Sequence, residues 1–353
     1  MRLSPGSAAS AAELVPLFRS VLERCLVRSG EVVLLHTDTR ANPEYAAAAL
    51  GAALELGASP YQLTVPTRHP EIEQLESVAR AWEEADLVLD LVSTGAHLFS
   101  PLNTRAVDKG TRVLRIAEPA DVLERMTPSD EVRERTRHYA DRLSAGHALT
   151  VASPAGTRLE MDIGDRAGVA QYGLADEPSR WDHWPSGLAL VAPREGSVRG
   201  RLVLDVGDLI FTLGRFVGEP VSCAIDDGRI TEICGGVDAL LLREWLDAQE
   251  GDGSRLIGLV GWGTDHRARW DRVAWHFHEA AGTMDAESFA GGVRIGLGNN
   301  ASSMLRGENA CRSHIDIQLR GCTVTVDREV LVEDGRLITA TSKTSASPTR
   351  GER

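Results

Sequence analysis

Ala85-Asp86-Leu87-Val88-Leu89-Asp90-Leu91-Val92 decides how the first half of this chain folds. The run is apolar on both parities, so Asp86–Val92 reads as a strand buried on both faces, the pattern of a parallel sheet covered by helices. Working outward, Pro70–Ala85 before it is helical and Tyr61–Val65 is strand-like. Asn42-Pro43 opens an Ala-rich helix, with Asn as cap and Pro in the first turn, and Gly57 closes it. Glu31–His36 is a short apolar strand, and Ala11–Val27 an amphipathic helix. On the far side come the strand Arg112–Ile116 and the helix Asp130–Leu143. Alternating strands and helices predict an α/β domain on a doubly wound parallel sheet over residues 1–146. The turn after the first strand, His36-Thr37-Asp38-Thr39, carries no glycine-rich phosphate fingerprint, so a nucleotide site is not supported.

The pattern then changes. Ala148–Ser153, Leu159–Ile163, Leu202–Val206, Val221–Ile225, Arg229–Ile233, Arg255–Val260, Val293–Leu297, Ser313–Leu319 and Thr323–Val326 read as strands, with a helix at Val237–Asp247. Asp227-Gly228 and Asp334-Gly335 are two-residue hairpin turns. Residues 147–340 are therefore expected to form an α+β domain with antiparallel strands. The Ser/Thr/Pro-rich stretch Thr341–Arg353 has no apolar anchor, which predicts a disordered tail.

The 353 residues exceed one ordinary core, in keeping with two domains. A net charge of −13 speaks against a nucleic-acid partner, which needs a basic footprint. No run approaches the roughly 20 apolar residues of a membrane span. Met1–Ser10 has no apolar leader, and the five cysteines form no Cys-x-x-Cys pair, so a cytoplasmic protein with a small-molecule substrate is expected.

His314-Ile315-Asp316 lies in the alternating run Ser313–Leu319, so an imidazole and a carboxylate project from one strand face. That pair is two-thirds of the 2-His-1-carboxylate grip on non-haem Fe(II), though a surface His beside a solvated Asp has the same sequence. Glu177–Gly187 concentrates an acid, a base and two indoles in what reads as a Pro/Gly-limited loop. Glu177 and His183 are candidate proton carriers there, and a structural Trp corner is the competing reading. In Gly261-Trp262-Gly263-Thr264-Asp265-His266, the Gly-flanked Trp follows a strand, and His266 is a candidate ligand or a residue opening a helix. His276 and His278 do not share a helical face and make a weak ligand pair. His97 follows the strand Asp86–Val92, where parallel sheets bind ligands. Trp181, Trp184, Trp262 and Phe99 offer faces on which a planar ring can stack, and serve equally as core.

Together ADEPSRWDHWPSG (175–187), RLVLDVGD (201–208), DDGRITEICGG (226–236), VGWG (260–263) and HIDIQLRGC (314–322) resemble the 2,5-dihydroxypyridine 5,6-dioxygenase family, which is related to the M29-type thermophilic aminopeptidases. The resemblance implies a site between two domains, a homo-oligomer, mononuclear Fe(II) and O2-dependent cleavage of a hydroxylated pyridine. It makes His314 and Asp316 iron ligands and Glu177 and His183 the acid/base pair, and it puts His97 near substrate. One position departs. Two residues before Gly-Trp-Gly the family's third ligand His is Leu259, an apolar wall residue that cannot hold a metal. Either His266 replaces it, or the metal has been lost. The two-metal peptidase reading is disfavoured because Leu188 stands where a carboxylate ligand is expected. Three readings remain: a mononuclear metal oxygenase, a metal-independent lyase, hydrolase or cyclase using Glu177 and His183, and a binding protein on an enzyme scaffold.

Overall fold

The computed structural model describes residues 9–67, 75–93, 97–272 and 283–338. Its first sheet is wholly parallel, in the order Ser59–Val65, Val32–Asp38, Leu87–Asp90, Arg112–Ile116, Trp181–Trp184. The continuous apolar runs are explained by helices on both faces. Ala11–Arg24 and Pro43–Glu55 cover one through Phe18, Leu22, Ala48 and Ala52. Glu76–Glu83 and Pro101–Asp108 cover the other through Trp82, Leu102 and Ala106. The Asn42 carboxamide accepts the Glu44 backbone N–H at 3.0 Å, capping the second helix as its sequence predicts.

The fifth strand corrects the sequence reading. Glu177–Gly187 is not all loop: Trp181–Trp184 is a strand that pairs with Arg112–Ile116, with Arg115 opposite His183. Its four residues alternate. Trp181 packs with Trp82 on one face of the sheet, and Trp184 meets the Phe18 ring at 5.2 Å on the other. The sheet of the first half is thus completed by chain from the second.

The remaining strands form an eight-stranded and a seven-stranded sheet that share one core. Asp227 and Gly228 have φ of +49° and +74°, and Asp334 and Gly335 +48° and +75°, as a tight hairpin with two left-handed residues requires. The helix Val237–Asp247 forms over the expected residues. Gly-Trp-Gly does not follow a strand but ends one: Ile257–Gly263 runs through it. A Cβ at Gly261 would lie 2.2 Å from the Ala189 carbonyl oxygen, so only glycine lets the neighbouring backbone approach. Alternation along this strand sends Val260 and Trp262 into the core between the sheets, and Leu259 to the opposite face. His276, His278 and the tail 341–353 lie outside the described residues. No described helix is long and apolar enough to cross a membrane.

Candidate active site

The face of the seven-stranded sheet turned away from that core looks onto the edge strand of the first sheet. Between them lies a pocket of about 330 Å³. From the first sheet, the period-two spacing of Trp181 and His183 points both side chains into it. The Trp181 Nε1 and the His183 Nε2 are buried there without a hydrogen-bond partner. Burial, reinforced by Arg115, pushes the His183 pKa down to about 3. His183 is therefore a neutral imidazole at physiological pH, suited to hydrogen bonding rather than to carrying charge.

The opposite wall is charged at one end and apolar at the other. His314 and Asp316 stand side by side, His314 Nε2 lying 3.0 Å from Asp316 Oδ2 and His314 Nδ1 3.1 Å from the Asn299 carbonyl oxygen. The Phe99 ring lies 4.7 Å from the His314 ring. Arg294 on the adjacent strand clamps Asp316: Nε donates to Oδ1 at 2.8 Å and Nη2 to Oδ2 at 2.5 Å. Its Nη1 lies 2.5 Å from Glu287 Oε2. Burial works against ionised Asp316, but Arg294 and His314 outweigh it and hold the carboxyl well below its usual range. Burial raises the Glu287 pKa despite Arg294. The apolar end is Leu190, Leu259 and Leu305. Gly296 makes room between the two ends, since a Cβ there would lie 2.6 Å from Leu259 Cγ and 3.0 Å from Asp316 Oδ1.

Residues 13–339 match the family model of 2,5-dihydroxypyridine 5,6-dioxygenase. A curated Pseudomonas putida protein named 2,5-dihydroxypyridine 5,6-dioxygenase is 33% identical over 344 residues, spanning 93% of this chain and 97% of its own. This chain belongs to the 2,5-dihydroxypyridine 5,6-dioxygenase family. The solved 2,5-dihydroxypyridine dioxygenase of Pseudomonas putida KT2440 superposes with a TM-score of 0.87 at 32% identity, covering 94% of this chain and 99% of that one. Wild-type AmpT from Thermus thermophilus shares the fold, with a TM-score of 0.62 at 15% identity over 92% of this chain and 99% of its own.

The dioxygenase family resemblance implies iron at His314 and Asp316, and the donor set here does not fit it. No third imidazole or carboxylate converges with those two among the described residues. Leu259 fills the wall beside them, and the Arg294 guanidinium sits where a cation shared by Asp316 and Glu287 would sit. His266 does not supply the missing ligand. It is half-exposed, 3.3 Å from Arg135 and 3.8 Å from Glu131, because the chain leaves the sheet after Gly263 and turns onto the helix Asp130–Ala145.

Other expected site residues are also displaced. Glu177 is exposed and paired with Arg137, in a surface hollow that shares Trp181 and Met304 with the pocket but not His183. The strand beginning at Trp181 leaves it outside the alternation that aims side chains inward. Trp184 and Trp262 are core, the latter 5.6 Å from Tyr139, because each falls on the buried parity of its strand. His97 turns inward, its Nδ1 3.0 Å from Asp90 Oδ2, while its neighbours Leu98 and Phe99 line the pocket. Trp181, His183, Leu259, His314, Asp316 and Phe99 are brought together. Arg294, Glu287 and Gln171 line the pocket and were not foreseen. A lone Arg in the otherwise apolar Val293–Gly298 is the signal that marks the first.

Proposed function

We propose that this chain is an oxidoreductase of the dioxygenase type that takes a small hydroxylated aromatic or N-heterocyclic ring, such as a dihydroxypyridine, in the pocket between Trp181 and Leu259. The single observation carrying this is a cavity of about 330 Å³ lined by Trp181 and His183, each with a buried ring nitrogen that has no hydrogen-bond partner, in a chain of this family. Buried polar atoms without partners are costly, and a planar ligand with ring oxygens or nitrogen satisfies both. The Trp181 N–H donates to an acceptor on the ring, and neutral His183 fixes a hydroxyl at its Nε2. Phe99 and Leu259 supply apolar contact for the ring faces and exclude water. His314 and Asp316 present a hydrogen-bonded pair at the charged end, where a ring hydroxyl can exchange its proton. No step is assigned to iron, because the donors present do not complete its site.

A second reading, a metal-independent lyase, hydrolase or cyclase, is favoured by Leu259 and by the Arg294 clamp on Asp316. Oxygen uptake and ring absorbance measured together during incubation with 2,5-dihydroxypyridine distinguish the two. The proposal expects one O2 consumed per ring lost. Ring loss at an unchanged rate under anaerobic conditions would transfer the protein to the second reading, and no ring loss at all would overturn the substrate class.

A further inference from the structure

A second polar cluster lies in the first sheet, apart from the residues that line the pocket. His36 and Asp90 occupy adjacent parallel strands and are directly in register. Both sit near the carboxyl ends of those strands, where open α/β sheets bind ligands. The turn His97–Phe99 brings a second imidazole over them. One donor atom from each of His36, Asp90 and His97 lies within 4.8 Å of the others, and all three residues are buried. Among the described residues this is the one place where three such donors converge.

The His36 imidazole carries the argument furthest. It is fully buried, and neither ring nitrogen has a hydrogen-bond partner. It lies against the edge of Trp82 and 5.1 Å from the His97 ring. His97 Nδ1 and Asp90 Oδ2 are 3.0 Å apart, close to the spacing of two neighbouring ligands on an ion with bonds of about 2.1 Å. The other Asp90 oxygen points to Arg115 Nη1 at 3.4 Å, the kind of outer partner that holds a ligating carboxylate in place.

We propose that His36, Asp90 and His97 form a binding site for a first-row divalent cation, distinct from the His314–Asp316 pair. Two imidazoles and one carboxylate suit Zn(II), Fe(II) or Co(II), and exclude the oxygen-only preferences of Mg(II) and Ca(II). The inference does not rest on the function proposed above. The ion takes the place of the His97–Asp90 hydrogen bond and gives His36 the partner it lacks.

The test uses the full chain, stripped by chelator and dialysed against Co(II), whose visible spectrum reports imidazole and carboxylate ligation. The wild type binds one Co(II) per chain. His36→Ala and Asp90→Asn each weaken binding by about 100-fold or more, well beyond the loss of an outer partner, while His314→Ala leaves it intact. If His36→Ala fails to fold, His36→Gln, which keeps a polar side chain of similar reach, takes its place and is expected to lose the ion as well. Absence of stoichiometric Co(II) binding overturns the proposal. So does binding that survives His36→Gln and disappears in His314→Ala, which would return the metal to the pocket. Because the readout is metal content, failure here leaves ring binding at Trp181 and His183 untouched.

Discussion

The wall of the pocket and the interior of the first sheet each set imidazole against carboxylate, and they differ in what stands beside the carboxylate. At Asp316 a guanidinium takes both oxygens and reaches a second acid, Glu287. At Asp90 the guanidinium of Arg115 touches only one oxygen, at 3.4 Å, and an imidazole with no partner faces the same cluster. The first arrangement balances charge: Arg294 is shared by two acids and His314 bonds Asp316, with Glu287 Oε2 held by its ion-pair contact to Arg294 alone. The second lacks a partner for His36. The same residue types thus describe a charge-balanced ion pair network in one place and an incomplete coordination shell in the other. Neighbours, rather than ligand types, decide which is which.

The largest effect is expected from opening the Arg294 cluster. Arg294→Ala strands two buried carboxyl groups, and loss of one partner of a buried pair costs about 3–5 kcal/mol. Urea denaturation measures it, and a loss below about 1 kcal/mol would mean that the clamp is not the main interaction at Asp316. Next, Leu259→His adds a third donor beside His314 and Asp316. With Arg294→Met in the same chain, Co(II) affinity at the pocket rises, because the donor set becomes a complete triad and its competing cation is gone. Dialysis of a chain that also carries His36→Gln isolates this site, and unchanged affinity would show that geometry rather than donor count limits it.

A third comparison sets one indole against another. Trp262→Phe leaves a gap in the core and is expected to cost about 1–3 kcal/mol of stability with ring binding unchanged. Trp181→Phe keeps most of the ring packing and removes the N–H, so ring affinity falls while stability changes little. Calorimetric titration beside thermal denaturation separates them, and equal effects on both readouts would dissolve the distinction between core and pocket Trp. Smallest is Glu177→Gln. An exposed ion pair contributes roughly 0–1 kcal/mol, so stability is expected to move by less than that and turnover to stay near that of the wild type. A hundredfold drop in turnover would restore the acid/base role that its position outside the pocket removes.

Much of this was legible. The apolar run at Leu87–Asp90 announced a parallel sheet, and the Asp-Gly turns announced their hairpins, because each is a local rule. His314 and Asp316 were legible as one face because period two survives any tertiary context. Three things were not. The strand Trp181–Trp184 is four residues long between Pro178 and Pro185, and its partner Arg112–Ile116 is distant in sequence, so turn composition masked its alternation. Arg294 carries a residue type that ordinarily marks surface, and its ion pairs with Asp316 on the adjacent strand and Glu287 on the short helix Met284–Glu287 explain its burial. Asp90 read as one more residue of a strand, since its meeting with His36 and His97 depends on register and on a later turn. Glu177 shows the converse: proximity in sequence to His183 did not become proximity in space.

The central claim is that Trp181 and His183 hold a hydroxylated ring against the Leu259 wall. Calorimetric titration of 2,5-dihydroxypyridine under anaerobic conditions, into the wild type and into His183→Ala, tests it most directly. The account predicts one ring bound per chain. It also predicts weakening by about 10- to 100-fold in His183→Ala, the worth of a buried hydrogen bond whose partner is lost. Equal affinity in the two proteins, or no binding in either, would contradict it.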